Sequence, residues 1–296
     1  MSEIPHKAGF VSIIGKPNVG KSTLMNVLVG ENLSIITSKA QTTRHRIQGI
    51  INNDNYQIVY SDTPGIMKPV YELHKSMMRF VSTSLEDADV ILFVADLFEK
   101  YDEEDVIDKI NNSNVPVIFL LNKIDLAKSQ EQVEEKLAEW KDRINPKETL
   151  VISALKEENT AGLLELVLSY IPEHPAYFPK DEMTDKTERF FVSEMIREQI
   201  FKNYKKEVPY SCEVRISEFK EDERIIRIRA EILVERESQK GIIIGHKGQM
   251  LKKVGSAARF MMERFFDKQV FLEQHVKVEK DWRRKADKLK SMGYSD

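Results

Sequence analysis

Residues 15–22 read GKPNVGKS, directly after the apolar run FVSIIG and directly before a helical pattern. Gly15 and Gly20 let the backbone through Lys16, Pro17, Asn18 and Val19 curl so that successive N–H groups converge on an anion. A helix starting at Lys21 adds the partial positive charge of its N-terminus. Lys21 then reaches the outer phosphates of a nucleotide, Ser22 offers a hydroxyl to Mg²⁺, and Thr23 continues the first turn. So short a match also occurs in ordinary turns, and the strand–loop–helix setting distinguishes this one.

Three further stretches fit the same chemistry. YSDTPG places Asp62, Thr63, Pro64 and Gly65 at the end of another apolar run. Asp62 can hold Mg²⁺ through water, and the Gly65 N–H can meet a γ-phosphate. LLNKID supplies Asn122, Lys123 and Asp125. A carboxylate at Asp125 accepts both N1–H and the 2-amino group of guanine, whereas adenine offers neither donor on that edge. Sites built this way reject the wrong partner by ~10⁴-fold. Asn122 is expected to brace the loop and meet the base, and the Lys123 stem to cover the base. VISALK supplies Ser153, Ala154 and Leu155, with the Ala154 N–H expected at guanine O6. Each stretch alone is a common turn; in this order, at successive strand ends, they describe a guanine-nucleotide site. GTP or GDP with Mg²⁺ is therefore the expected cofactor set.

Between the first two motifs lies ITSKAQTTRHRIQG, a polar run read as a loop that orders on the γ-phosphate. Thr43 is expected to complete the magnesium shell begun by Ser22 and Asp62, with Thr42 the second choice. Lys21, Thr43 and Gly65 are the residues expected to act on the reacting phosphate. Ile66 stands where many such switches carry a water-orienting glutamine. It cannot orient water, so slow unaided turnover is expected.

A second kind of chemistry sits in the other half. GIIIGHKGQMLKKVG contains Gly245, His246, Lys247 and Gly248 between two helical patterns, followed by Lys252 and Lys253. A G-x-x-G loop lets a nucleic-acid backbone approach closely and is the clamp of KH domains. Residues 1–188 carry 20 basic and 30 acidic side chains, and residues 189–296 carry 25 and 18, so the second half favours a polyanion. Arg224, Arg227 and Arg229 could meet phosphates, though strand charges in solvent are at least as ordinary. Trp282 reads as a pin for the basic C-terminal tail. Met250, Phe260, Met261 and Phe265 read as core.

The elements that must position these residues divide in two. In the first half FVSIIG, YQIVYSD, DVILFVAD, PVIFLLNK and TLVISA are short apolar strands alternating with helical segments at 21–29, 102–111 and 131–143. This is an α/β domain with a mostly parallel sheet. Pro172, Pro175 and Pro179 mark a connector. Beyond it the order is helix, strand, strand, helix, helix, strand. The expected division is a nucleotide-binding domain at 1–175, a linker at 176–188 and a smaller α+β KH (type II) domain with a tail at 189–296. The charged stretches 99–105 and 157–160 read as surface variation. The 296 residues are 41% hydrophobic and 31% charged, which describes a folded, water-facing chain without a membrane span or signal peptide. The single cysteine, Cys212, reads as core and excludes an internal disulfide. The six histidines show no zinc spacing.

GKPNVGKS, KAQTTRHR, DTPG, NKID, SAL and IIIGHKG, with LVERESQKG before the last and HVKVEKDWRRK near the end, resemble the Era-type family of bacterial GTPases over nearly the whole chain. The resemblance implies Mg²⁺-dependent GTP hydrolysis on a P-loop fold and a KH domain that binds the 3′ end of 16S ribosomal RNA. It implies a role in assembly of the 30S ribosomal subunit and a cytoplasmic, monomeric protein with peripheral association with the inner membrane. It also implies a K⁺ ion near Asn18. Two rival readings are a membrane-associated signalling GTPase whose second domain binds protein, and an RNA scaffold with merely structural nucleotide.

Overall fold

The structure is a computed structural model and describes residues 5–100 and 104–294. These fall into two compact units. The first is Met1–Ser34, Thr43–Pro69 and Met77–Asp185; the second is Lys186–Asp296 with the short segments Ile35–Thr42 and Val70–Ser76.

The first unit contains β1 (Lys7–Ile14), α1 (Lys21–Val29), β2 (Ile47–Asn52), β3 (Tyr56–Asp62), most of α2 (Glu72–Asp87), β4 (Val90–Asp96), α3 (Glu104–Asn111), β5 (Val117–Asn122), α4 (Gln130–Lys141), β6 (Glu148–Val151) and α5 (Leu163–Tyr170). The sheet order is β2-β3-β1-β4-β5-β6. Only β2 runs antiparallel, against β3. β4 and β5 are buried along their whole length, as strands covered on both faces must be. β1 lies between β3 and β4, so the chain reverses its direction of progress there and the loop after β1 opens at the switch point. β2 and α2 were not distinguished in the sequence. The polar TTRHR run hides the start of β2, an edge strand paired on one side by β3.

The stretch read as a linker packs against this sheet. The Ile50 N–H donates to the Met183 carbonyl at 2.8 Å, and the Gln57 Oε1 accepts from the N–H groups of Tyr177 and Phe178 at 2.7 and 3.0 Å. Three prolines stop a helix but leave extended backbone free to lie along a sheet edge. The two compact units divide after Asp185, within the stretch 176–188 expected as a linker. Part of the expected helix at 102–111 and of the charged stretch 99–105 lies outside the described residues.

The second unit contains α6 (Glu188–Asn203), β7 (Glu213–Glu221), β8 (Ile225–Val234), α7 (Glu237–Ile244), α8 (Gln249–Phe266), β9 (Gln269–Val278) and α9 (Ala286–Ser291). β8 is central, antiparallel to β7 and parallel to β9. One core joins Val192, Ile196 and Ile200 of α6 to Ile226, Ile228 and Ile232 of β8 and to Val254, Ala258 and Met262 of α8. Cys212 belongs to that core.

The 254/258/262 stripe corrects the phase read for α8. Phe260 and Phe265 were expected inside, but they are 61% and 45% exposed. Gly255 explains the close seating of this helix: a Cβ there would lie 2.4 Å from Gln274 Oε1.

The tail is pinned as expected. Trp282 is fully buried and its Nε1–H donates to the Ser211 carbonyl at 3.0 Å; the Tyr294 hydroxyl donates to Glu213 at 2.6 Å. Trp282→Ala should destabilise the second unit by about 3–5 kcal/mol, because it opens a cavity and strands a carbonyl. Urea denaturation checks this; a change under about 1 kcal/mol would mean that the indole is not a packing anchor.

Candidate functional site

The loop after β1 is shaped by close approaches that a side chain would forbid. Gly20 sits at φ 104° with a Cβ position 2.2 Å from Asn122 Nδ2, and Gly65 places its Cβ position 2.5 Å from the Pro17 nitrogen. Both glycines are thus required by contact. Asn18, between Gly15 and Gly20, adopts φ 67°.

Lys21 is buried, and its Nζ donates to the carbonyls of Gly15 and Lys16 at 3.0 and 2.8 Å. Burial pulls its pKa down to about 8, since an ammonium loses hydration there; the charges of Asp62 and Glu99 partly restore it.

Ser22, Thr43 and Asp62 converge. The Ser22 hydroxyl donates to Asp62 Oδ2 at 2.7 Å and lies 2.9 Å from the Thr43 hydroxyl, which reaches the same carboxylate oxygen at 3.5 Å. Thr42 is turned away, its hydroxyl donating to the Lys39 carbonyl at 2.7 Å. Asp62 Oδ1 is buried without a hydrogen bond. Burial raises the Asp62 pKa, against the Lys21 charge and the bonds from Ser22 and Thr43. Two hydroxyls, one carboxylate and an unused carboxylate oxygen are the hard-oxygen donors that Mg²⁺ takes, with phosphate and water completing its shell. The ion, when bound, neutralises charge on the phosphates.

Thr63 has a different task from its neighbours: its hydroxyl donates to the Ile13 carbonyl at 2.8 Å and ties the DTPG turn to β1. The Ile66 N–H donates to the Gly15 carbonyl at 3.1 Å, and its side chain is 2% exposed in the core with Ile14, Val81 and Phe93.

The loops after β1, β5 and β6 meet at Asn122. Its Nδ2 donates to the Val19 carbonyl at 2.8 Å and its Oδ1 accepts from the Ala154 N–H at 2.9 Å. Asn122 therefore ties three motifs together. The Ala154 N–H, expected at guanine O6, is engaged by Asn122, because a buried amide side chain must satisfy both of its ends. The Ser153 hydroxyl donates to Asp125 Oδ1 at 2.6 Å and so fixes the orientation of that carboxylate. The 157–160 stretch helps hold it, through paired backbone bonds between Ser153 and Glu158. Leu155 points its side chain outward, 73% exposed. Lys123 is fixed at φ 68° and pairs with Asp96 at 2.8 Å.

Asp96 and Glu99 were missed in the sequence. Asp96 ends β4, and an acid at a strand's carboxyl end was the available signal. Glu99 carried no such signal. It was read as surface, yet both of its carboxylate oxygens are buried.

In the second unit Gly245 (φ 70°) ends α7 and Gly248 (φ 76°) caps α8. His246 and Lys247 are exposed, as are Lys252 and Lys253 one turn into α8. Ile242, 47% exposed, lies on the preceding turn. The arginines of β8 are otherwise employed: Arg229 pairs with Glu218 at 3.2 Å and Glu273 at 2.8 Å, and Arg227 with Asp222 at 3.8 Å. The G-x-x-G loop and the start of α8 present Lys247, Lys252 and Lys253 to solvent.

Two family models match the chain: a 50S ribosome-binding GTPase over residues 10–123 and a KH domain over residues 207–283. Fold, phosphate loop and these matches define the class: a P-loop GTPase domain followed by a KH domain. A GTPase Era of Geobacter metallireducens is 45% identical over 299 residues, covering all of both chains, and one of Clostridium perfringens strain 13 is 44% identical over 97% of this chain and 98% of its own. The chain belongs to the Era family of GTPases. Among solved structures, Era in complex with MgGDPNP and nucleotides 1506–1542 of 16S ribosomal RNA is similar at TM-score 0.93 and 42% identity, covering 98% of this chain and all of its own. A point variant of Aquifex aeolicus Era bound to GDP·AlF₄⁻ is similar at TM-score 0.91 and 41% identity, with the same coverage.

Proposed function

We propose that this GTPase is a switch on ribosomal RNA: it binds the 3′ end of 16S RNA through Gly245–Gly248 and the following lysines, and acts in assembly of the 30S subunit. The carrying observation is the G-x-x-G loop between α7 and α8, its cations exposed, in a chain whose relative holds that RNA segment. The family description over residues 10–123 names the 50S subunit, but it covers only part of the first unit. The relative with 16S RNA matches almost the whole chain.

In this reading GTP sits with its phosphates on Gly15–Thr23 and its base against Asn122, Lys123 and Asp125. Ser153 orients Asp125, and Ala154 braces the pocket. Ser22, Thr43 and Asp62 hold Mg²⁺. Lys21 and the Gly65 N–H neutralise charge on the γ-phosphate, and Thr43 ties the preceding loop to that phosphate. Loss of the γ-phosphate frees Thr43, and RNA affinity follows the nucleotide state. The chain works as a monomer. Membrane contact, in this reading, is peripheral and secondary to RNA; among the described residues no helix is long and apolar enough to cross a bilayer.

With Ile66 in the core, no side chain at that position orients water. The purified chain should turn over GTP far below the ~10 s⁻¹ median of enzymes. A K⁺ ion held at Asn18 would add positive charge beside the phosphates, and Na⁺, equal in charge but smaller, would not span a site sized for K⁺, so exchanging K⁺ for Na⁺ should slow hydrolysis further. A phosphate-release assay checks both; turnover near the median would contradict the role given to Ile66, and indifference to the cation that given to Asn18.

A further inference from the structure

The segment after β4 lies against the phosphate loop and is held there from two sides. The Lys16 Nζ donates to the Lys100 carbonyl at 2.7 Å, and the Lys136 Nζ of α4 donates to the Glu99 carbonyl at 2.6 Å. The Leu97 N–H donates to the Asn122 carbonyl at 3.3 Å. Thus fixed, the Glu99 carboxylate is buried, and neither oxygen accepts a well-formed hydrogen bond. Glu99 is close enough to the phosphate-loop lysines for its charge to act on Lys21, and those of Lys16 and Lys21 on it.

We propose that Glu99 is a counter-anion to the phosphate loop, which competes with nucleotide phosphates for Lys16 and Lys21 and must be neutralised or displaced when they bind. A buried carboxylate without good donors is costly as an anion, and added phosphate charge nearby raises that cost. Uptake of a proton relieves it. The groups facing Glu99 are Asp96, which opposes its ionisation, and Lys16 and Lys21, which favour it; the Lys136 ammonium is held on the Glu99 backbone carbonyl and is paired with the Glu139 carboxylate. Burial first, and then Asp96, push the Glu99 pKa up to about 7.

The sign follows. Phosphate charge raises the Glu99 pKa further, so binding takes up a proton and weakens as pH rises through about 7. Removing the charge should strengthen binding above that pH and change little below it. Titration calorimetry with GDP and Mg²⁺ at about pH 6 and about pH 7.5, on the full chain and on Glu99→Gln, tests this. Ionisation of GDP itself is common to both chains and drops out of their ratio. Glu99→Gln should match the parent at the lower pH and bind about fourfold tighter at the higher. Loss of Glu99 moves the Lys21 pKa below its value of about 8 in the parent, and any ammonium lost at the upper pH weakens phosphate binding, so tighter binding by the variant cannot come from Lys21. Repeating the parent at about pH 7 in two buffers of different ionisation enthalpy should reveal uptake of about half a proton from Glu99, absent in the variant. Parallel pH profiles, weaker binding by the variant at both pH values, or no difference in proton uptake would overturn the proposal. The inference rests on Lys16 and Lys21 holding phosphates; if neither chain bound GDP, that site assignment would fall and the proposal with it.

Discussion

Asp125→Asn should turn a GTP-binding protein into one that prefers xanthosine triphosphate. The carboxylate offers two acceptors to guanine N1–H and the 2-amino group. In the parent, Oδ1 also accepts from the Ser153 hydroxyl at 2.6 Å. An asparagine that keeps its oxygen toward Ser153 presents an NH₂ where the 2-amino group of guanine would sit. Two donors then face each other, and one is left unpaired. Xanthine carries a carbonyl there and restores the pair. Affinity for GTP should fall about 10³-fold, with xanthosine triphosphate regaining most of it. Asp125 is half-buried and its partner hydroxyl can donate to either residue, so the fold should be preserved. Competition binding with both nucleotides measures the effect. Unchanged preference for GTP would mean that Asp125 does not read the base.

Gly248→Asp should abolish RNA binding and spare nucleotide binding. The two glycines of the loop differ as sites for such a test. A Cβ at Gly245 would lie 2.7 Å from Met250 and distort the loop, whereas one at Gly248 meets nothing within 4 Å. The left-handed backbone at Gly248 costs an aspartate about 1–2 kcal/mol, which a domain can absorb. Its carboxylate would enter where a phosphate must come closest, beside Lys247. RNA affinity should fall at least about 100-fold, since a phosphate contact is replaced by like-charge repulsion. Binding of a 16S 3′-terminal oligonucleotide, with GDP affinity as control, decides. Undiminished RNA binding by the variant would move the RNA site elsewhere.

The motifs of the candidate nucleotide site were legible because each is local. Each motif is a few consecutive residues at a strand's end, and strand periodicity located those ends. Thr43 could be preferred over Thr42 for its place before Arg44, and the structure sets it beside Ser22 and Asp62. Less legible was whatever depends on distant partners. That the Ala154 N–H meets Asn122, 32 residues away in sequence, could not be read from the motif. Glu99 reads as solvent-facing in FEKYDEED, and its burial is set by Lys136 and Lys16. Phe260 and Phe265 were misplaced because apolar residues sit on two faces of α8, and only packing against α6 and the sheet decides between them.

The direct test of the central claim is the affinity of the purified chain for the 16S 3′-terminal oligonucleotide, by fluorescence anisotropy, with a non-hydrolysable GTP analogue and then with GDP. The account predicts tighter binding with the analogue by about tenfold, a coupling of about 1.4 kcal/mol. Equal affinity in the two states would leave a GTPase and an RNA-binding domain on one chain with no switch joining them.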